Sequence, residues 1–290
     1  MATQNHIVTK SVMRARFGSV RSLTKYVVTF AVVAFLAYSV DYLNVHLERL
    51  LGMFGKVGAL LANRYYPPDI TYILDDRYLN YVLETIQMAF LGALFGILVA
   101  MPLAWFASFN MSPNKRFLYP VARLTIMGCR SVHEMIWAII FVTILGFGML
   151  PGVLALTLFC IGFAGKLFSE EIESIEKGPV EAIQSTGASK LAVMVYAVLP
   201  QVRVAWTGIS IYTWDVAFRA ATVVGFFGAG GMGWYLKRNV QQLETERVAA
   251  ILLSIIVLVI IAEVLSAWAR DRVMKAGTGR GETVEEMEAA

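Results

Sequence analysis

Glu181-Ala182-Ile183-Gln184-Ser185-Thr186-Gly187-Ala188-Ser189-Lys190, continued by Leu191-Ala192-Val193-Met194-Val195-Tyr196-Ala197-Val198-Leu199-Pro200, is the stretch whose reading decides the fold. Between Lys166 and Ala205 it is the longest run that does not read as a membrane span. Gly178-Pro179 opens a short helix-forming run, Gly187 breaks it, a second short helix follows, and Leu199-Pro200 leads into a new apolar segment. Proline is tolerated in the first turn of a helix, where its missing N–H has no partner to lose. Glycine admits a turn that a side chain resists. The pattern predicts two short helices lying at a membrane surface and presented to something in the water.

The membrane itself is read from composition. The 290 residues are 58% hydrophobic and 16% charged, against about 45–50% apolar and about 25% charged in an average soluble domain. Several apolar runs approach the ~20 residues that a helix needs to cross a bilayer. The chain therefore reads as one polytopic, all-α integral membrane domain. A net charge of +4 requires no nucleic acid as partner. Cys129 and Cys160 fall inside apolar spans without metal-ligand spacing and read as packing residues with no disulfide. His6, His46 and His133 are scattered and form no metal site.

Six spans are predicted, at about 26–40, 82–106, 121–145, 152–168, 202–224 and 248–268. Residues 1–25 are basic without an acid and precede an uncleaved first anchor. In 41–78, Leu47, Leu50, Leu51, Phe54, Leu60 and Leu61 recur at helical spacing, as in an amphipathic helix lying on the membrane, and Tyr65-Tyr66-Pro67-Pro68 breaks it. The polytopic body spans 26–275, and the Gly- and Glu-rich tail 276–290 reads as disordered. Lysines and arginines on the side that holds both termini outnumber those on the other side two to one, which predicts cytoplasmic termini. The stretch 181–200 then lies in the cytoplasm.

A loop that opens Glu-Ala and closes Leu-Pro, with a glycine between, resembles the EAA motif of ABC importer permeases. Glu181, Ala182, Gly187, Leu199 and Pro200 match at the family spacing, while Ile183 and Ala197 replace an alanine and an isoleucine. The resemblance implies a coupling loop, about 178–200, whose Glu181, Ala182, Gly187, Ala188, Leu199 and Pro200 face a groove on a cytoplasmic ATPase. Arg130-Ser131-Val132-His133-Glu134, Gly165-Lys166-Leu167-Phe168-Ser169-Glu170, Arg219-Ala220-Ala221-Thr222 and the run Gly225 to Gly233 look like the phosphonate-type permease. That likeness covers about 80–270. Ala217 stands where this subfamily has an asparagine.

The resemblance implies a type I ABC importer (MetI-like) architecture of six transmembrane helices, homodimeric, in the bacterial cytoplasmic membrane. It implies two ABC ATPase subunits that carry ATP and Mg, an extracytoplasmic substrate-binding protein, and phosphonate, phosphite or phosphate as cargo. The chain itself has no Walker motif or metal cluster and reads as non-catalytic, with no cofactor of its own. Two alternatives stand beside this: an ABC permease for another small solute such as methionine, and an ion-coupled carrier using His133, Glu134 and Asp215.

Ionisable groups within spans are costly and face a cavity or a partner. Arg130 and Glu134 are four apart, as are Asp215 and Arg219, so each pair falls on one helix face and can neutralise itself. The pairs read as structural; Arg130 and Arg219 also suit a passing oxyanion, because guanidinium forks match it. His133 reads as a polar contact between helices, with a proton relay as the alternative. Gly225, Gly228, Gly230, Gly231 and Gly233 are too flexible for a straight helix and predict a re-entrant or hinge segment near the outer mouth. No Gly-Lys-Ser/Thr follows, which excludes a nucleotide P-loop, although free backbone N–H groups there suit an anion.

Overall fold

The computed structural model describes residues 20–43 and 47–288. Most of the basic segment 1–25 lies outside the described residues, as do His6 and His46. Every regular element described is helical: α1 (Val20–Tyr42), α2 (Leu47–Leu60), α3 (Asp76–Ala107), α4 (Leu118–Ser131), α5 (Glu134–Leu145), α6 (Met149–Ser174), α7 (Lys177–Ser185), α8 (Lys190–Val193), α9 (Leu199–Val224), α10 (Gly231–Gln241) and α11 (Thr245–Glu288). Five helices are long and apolar enough to cross a membrane, or six if the bent pair α4–α5 is one broken span. The chain divides into two units, Met1–Asn63 and Arg64–Ala290.

The first unit holds α1 and the amphipathic α2, whose Met53, Phe54, Val57 and Leu60 are exposed. The helix ends in a π-helical turn at Leu61–Tyr65, and a cis Tyr66–Pro67 bond follows.

The second unit is built on α3 and α6, which run parallel at very close range. Apolar side chains gain nothing by leaving lipid for one another, so helices in a bilayer associate through packing, and small residues let their backbones approach. Here Gly92-Ala93-Leu94-Phe95-Gly96 supplies that surface. A Cβ built on Gly92 would lie 2.6 Å from Leu156 Cβ, and one on Gly96 would lie 2.3 Å from Cys160 Cβ. Four residues before, Gly152 returns the favour by admitting Met88. Ala89, Ala93, Ala100 and Ala104 continue the buried face of α3. The remaining helices lean on this pair: α4 crosses Gly162 and Gly165 of α6, and Ala217 of α9 packs against Ala93 and Cys160. Cys129 and Cys160 are free and buried.

The two ends of the bundle differ. One gathers 108–117 and 169–201: Ser108 Oγ donates to Ser169 O (3.4 Å), Asn110 Nδ2 to Ile172 O (2.7 Å) and Lys190 Nζ to Pro113 O (2.7 Å). This is the α7 end. The other, the α10 end, joins Asp69 N to Glu246 O (3.3 Å), Thr245 Oγ1 to Arg64 O (2.6 Å) and Gly148 N to Gly228 O (3.2 Å).

Two expectations change. The third span is not one helix: α4 and α5 meet at 89°, with Val132 extended and His133 capping α5 through Nδ1, which accepts from Met135 N (3.4 Å). The second helix of the surface loop is not separate either. Lys190 to Val224 is one continuous run, because a π-helical turn at Met194–Val198 widens the helix ahead of Pro200. An i→i+5 turn relieves the clash that a proline ring makes with the preceding carbonyls. The side chains of 276–290, where the composition predicts disorder, lie outside the described residues.

The close approach of α3 and α6 sets a test. Gly96→Ala forces a methyl against the Cys160 Cβ and is expected to destabilise the protein by about 1–3 kcal/mol. Gly128→Ala, with nothing within 4 Å of the new methyl, is the control and should lose nothing. Monodisperse protein remaining after a heat challenge in detergent measures both.

Candidate functional site

Three features stand out: a surface at the α7 end, a belt of charges at mid-depth, and the glycine bend at the α10 end.

The surface comes from α7 and the start of the long helix behind it. Pro179 sits in the first turn of α7, and Gly187 takes φ +78°, which only glycine adopts without strain. Ser189 then caps α8 by accepting the Ala192 N–H (3.3 Å). Val180, Val193, Met194, Ala197 and Val198 are buried in a core shared with Phe168 and Trp206, and Ile183 and Ala188 pack against it. Glu181, Ala182 and Gly187 point outward, as do Leu191, Tyr196 and Leu199. Tyr196 is 71% exposed. The result is a firmly seated hairpin that shows small residues, one carboxylate and a few unpartnered apolar side chains. Pro200, also exposed, lies in the first turn of α9 beside Leu199.

The mid-depth belt lies around Leu156 to Gly162, the middle of α6. The last turn of α4 crosses Gly162 so closely that a Cβ there would meet Arg130 N at 2.9 Å. Glu134 is an electrostatic neighbour of Cys160. Asp215 and Arg219 come from α9 near Ala217, which packs on Cys160. The expected Asp215–Arg219 pair is present, at 2.7 Å, with Asp215 buried and Arg219 half exposed. The expected Arg130–Glu134 pair is not. The i,i+4 rule holds only along one helix, and the 89° bend separates the two residues. Glu134 Oε2 instead lies 3.3 Å from His133 Nδ1. Arg130 has no carboxylate within ion-pair range among the described residues; it opens on a cleft of about 200 Å³ shared with Arg123 and Lys166. Those two are neutralised by Glu173 (3.4 Å) and Glu170 (3.1 Å). Ala217 is fully buried, so the position that departs from the subfamily pattern packs between helices in this chain.

At the α10 end the glycine run makes a tight reversal. A π-helical turn covers Gly225–Ala229, with Gly228 at φ +109° and Gly230 at φ +85°. Gly225 and Gly233 face each other across it: a Cβ on Gly225 would sit 3.1 Å from Gly233 Cα. The predicted hinge-like break is there. Two of the backbone donors that the expected anion cradle would use are already engaged. Glu84 Oε2 accepts the Gly231 N–H (2.9 Å) and Thr85 Oγ1 accepts the Met232 N–H (2.9 Å). A carboxylate at a helix N-terminus is the arrangement that the helix dipole favours. Sequence reasoning missed Glu84 and Thr85, although an acid inside an apolar span is itself a signal.

A family model described as binding-protein-dependent transport system inner membrane component matches residues 92–275. A phosphite transport system permease protein of Stutzerimonas stutzeri is 36% identical over 246 residues, 85% of this chain and 87% of that protein. A phosphate-import permease protein of Mycolicibacterium smegmatis is 38% identical over 208 residues, 71% of this chain and 38% of that longer protein. Among solved structures, an inward-facing form of the MetNI methionine ABC transporter aligns with a TM-score of 0.60 at 22% identity, covering 69% of this chain and 95% of the other. At that identity the likeness is one of fold. Spans, bends and sequence agree that this chain belongs to the binding-protein-dependent transport system inner membrane components, as a non-catalytic ABC importer permease.

Proposed function

We propose that this permease carries a phosphorus oxyanion, phosphite, phosphonate or phosphate, into the cytoplasm as one of two identical subunits. The supporting observation is the 36% identity, sustained over 85% of the chain, to a phosphite transport permease. Both termini lie in the cytoplasm, in keeping with the arginine and lysine bias, and the α7 end faces two ATPase subunits that bind ATP and Mg. An extracytoplasmic binding protein delivers cargo at the α10 end. One chain supplies one coupling surface, so two ATPases call for two copies.

On this reading α7 and Gly187 seat in the ATPase groove. Ala182 and Gly187 keep the surface flat enough for close approach, and Glu181 offers the one carboxylate. Arg130 is the residue most suited to meet cargo. An arginine near the bilayer centre costs about 2.5–3.5 kcal/mol on insertion scales unless it finds water or a partner, and this one has no carboxylate of its own among the described residues. Its partner is then a passing oxyanion in the pathway. Arg219 is held by Asp215 and plays a supporting part. The bend at Gly225 to Gly233 forms the outer gate. His133, as the cap of α5, sets the angle at which Arg130 is presented; it relays no proton.

Four outcomes test this. Labelled phosphite or phosphate should enter phosphate-starved cells only when the gene is present, with excess methylphosphonate as challenger; gene-independent uptake would return methionine-like solutes to consideration. Gly187→Glu should leave the protein inserted while abolishing ATP-driven uptake, and normal uptake with the ATPase still attached would remove the coupling role. Arg130→Gln should cut uptake about tenfold or more without lowering heat stability, since no ion pair is lost. Arg219→Ala should do the reverse, lowering stability by leaving Asp215 buried and unpaired, with Asp215→Asn restoring it.

A further inference from the structure

A cavity of about 620 Å³ opens at the α10 end, between the first turns of α3, the second half of α10 and the start of α11. Small-ligand sites run to about 300–1,000 Å³, so the size suits a small solute, and the lining is polar where such sites are usually apolar. Three carboxylates and three guanidinium groups line it. The carboxylates are engaged. Asp75 caps α3 by accepting the Arg77 N–H (3.3 Å), Glu84 takes the Gly231 N–H (2.9 Å), and Glu244 pairs with Arg247. Arg247 is further held near Asp69 (3.9 Å) and over the Tyr72 ring (4.6 Å).

Arg77 and Arg238 are different. Both line the cavity, and neither guanidinium makes an ion pair or hydrogen bond among the described residues. The wall beside them is rigid. Tyr235 stacks on Tyr72 (ring centroids 5.5 Å apart) and on Tyr81 (4.7 Å). Asn239, almost wholly buried, donates to Tyr235 O (2.8 Å) and accepts from the Tyr72 hydroxyl (3.2 Å). Two planar donors without an ion-pair partner, beside a rigid frame, are suited to an oxyanion. Because both are solvated, binding there is weak, which a transport pathway needs.

We propose that this cavity is a relay site for the cargo oxyanion, where Arg77 and Arg238 receive it before it passes the glycine bend. The proposal rests on the cargo and orientation given under Proposed function. The nearby gate is tied to the same frame: Glu84, which lines the cavity, is the residue that holds Gly231.

The test uses the permease with its ATPase in nanodiscs. Transfer of magnetisation from protein to methylphosphonate or phosphite reports occupancy, and uptake with the binding protein present is measured beside it. In Arg77→Gln/Arg238→Gln the saturable signal should fall about tenfold, and the uptake rate should fall with it, while the binding protein docks with unchanged affinity. Lys115→Gln/Arg116→Gln removes the same charge at the α7 end and should leave occupancy alone. Unchanged occupancy in the first double variant would overturn the proposal. So would loss of binding-protein docking, which would make these arginines a protein contact. If the unaltered transporter imports neither oxyanion yet shows the arginine-dependent signal, the cargo reading fails and the anion site stands.

Discussion

The contact on which the rest of the second unit depends is the approach of α3 to α6. Met88 on Gly152, Gly92 on Leu156 and Gly96 on Cys160 repeat every four residues along both helices, so one ridge of side chains runs in the groove of the other. This registers the two helices against each other along most of their length. The functional elements take their positions from that pair. The turn of α4 that carries Arg130 crosses α6 at Gly162, α9 meets it through Ala217, and α10 begins on the Glu84 and Thr85 side chains of α3. Neither the charges at mid-depth nor the glycine bend can shift far without disturbing this contact.

Much of this was legible in the sequence. Hydropathy located the spans, because a helix must satisfy its own backbone in lipid and so must be long and apolar. Gly187 and the run Gly225 to Gly233 announced turns, and each proved to hold glycines in left-handed conformations. The small-residue spacing of Gly92 and Gly96 was equally open to reading, but a span counted only for hydrophobicity hides it.

What was illegible has physical causes. No proline or glycine marks the bend at Val132-His133; its signs are an acceptor side chain at the cap position and an acid in the first turn of α5, both weak beside an uninterrupted apolar run. Missing the bend turned two residues four apart into a predicted ion pair that the structure lacks. At Pro200 the error ran the other way. Proline is read as a stop, yet a widened turn before it carries the helix through. Glu84 escaped because its partner, a backbone N–H of Gly231, is 147 residues away and carries no side-chain signature.

The uninterrupted helix from Lys190 to Val224 has a mechanical meaning. At about 1.5 Å per residue it makes a rod of about 50 Å. Its two ends are the outward-facing hairpin and the glycine reversal. A rod with no slack joint along it cannot absorb a push at one end. A tilt of about 6° would carry its far tip about 5 Å, the rise of one helical turn. The π-helical turn that spares Pro200 from breaking the rod therefore lets a small rotation at one face of the membrane arrive at the other as a displacement large enough to admit or refuse an ion.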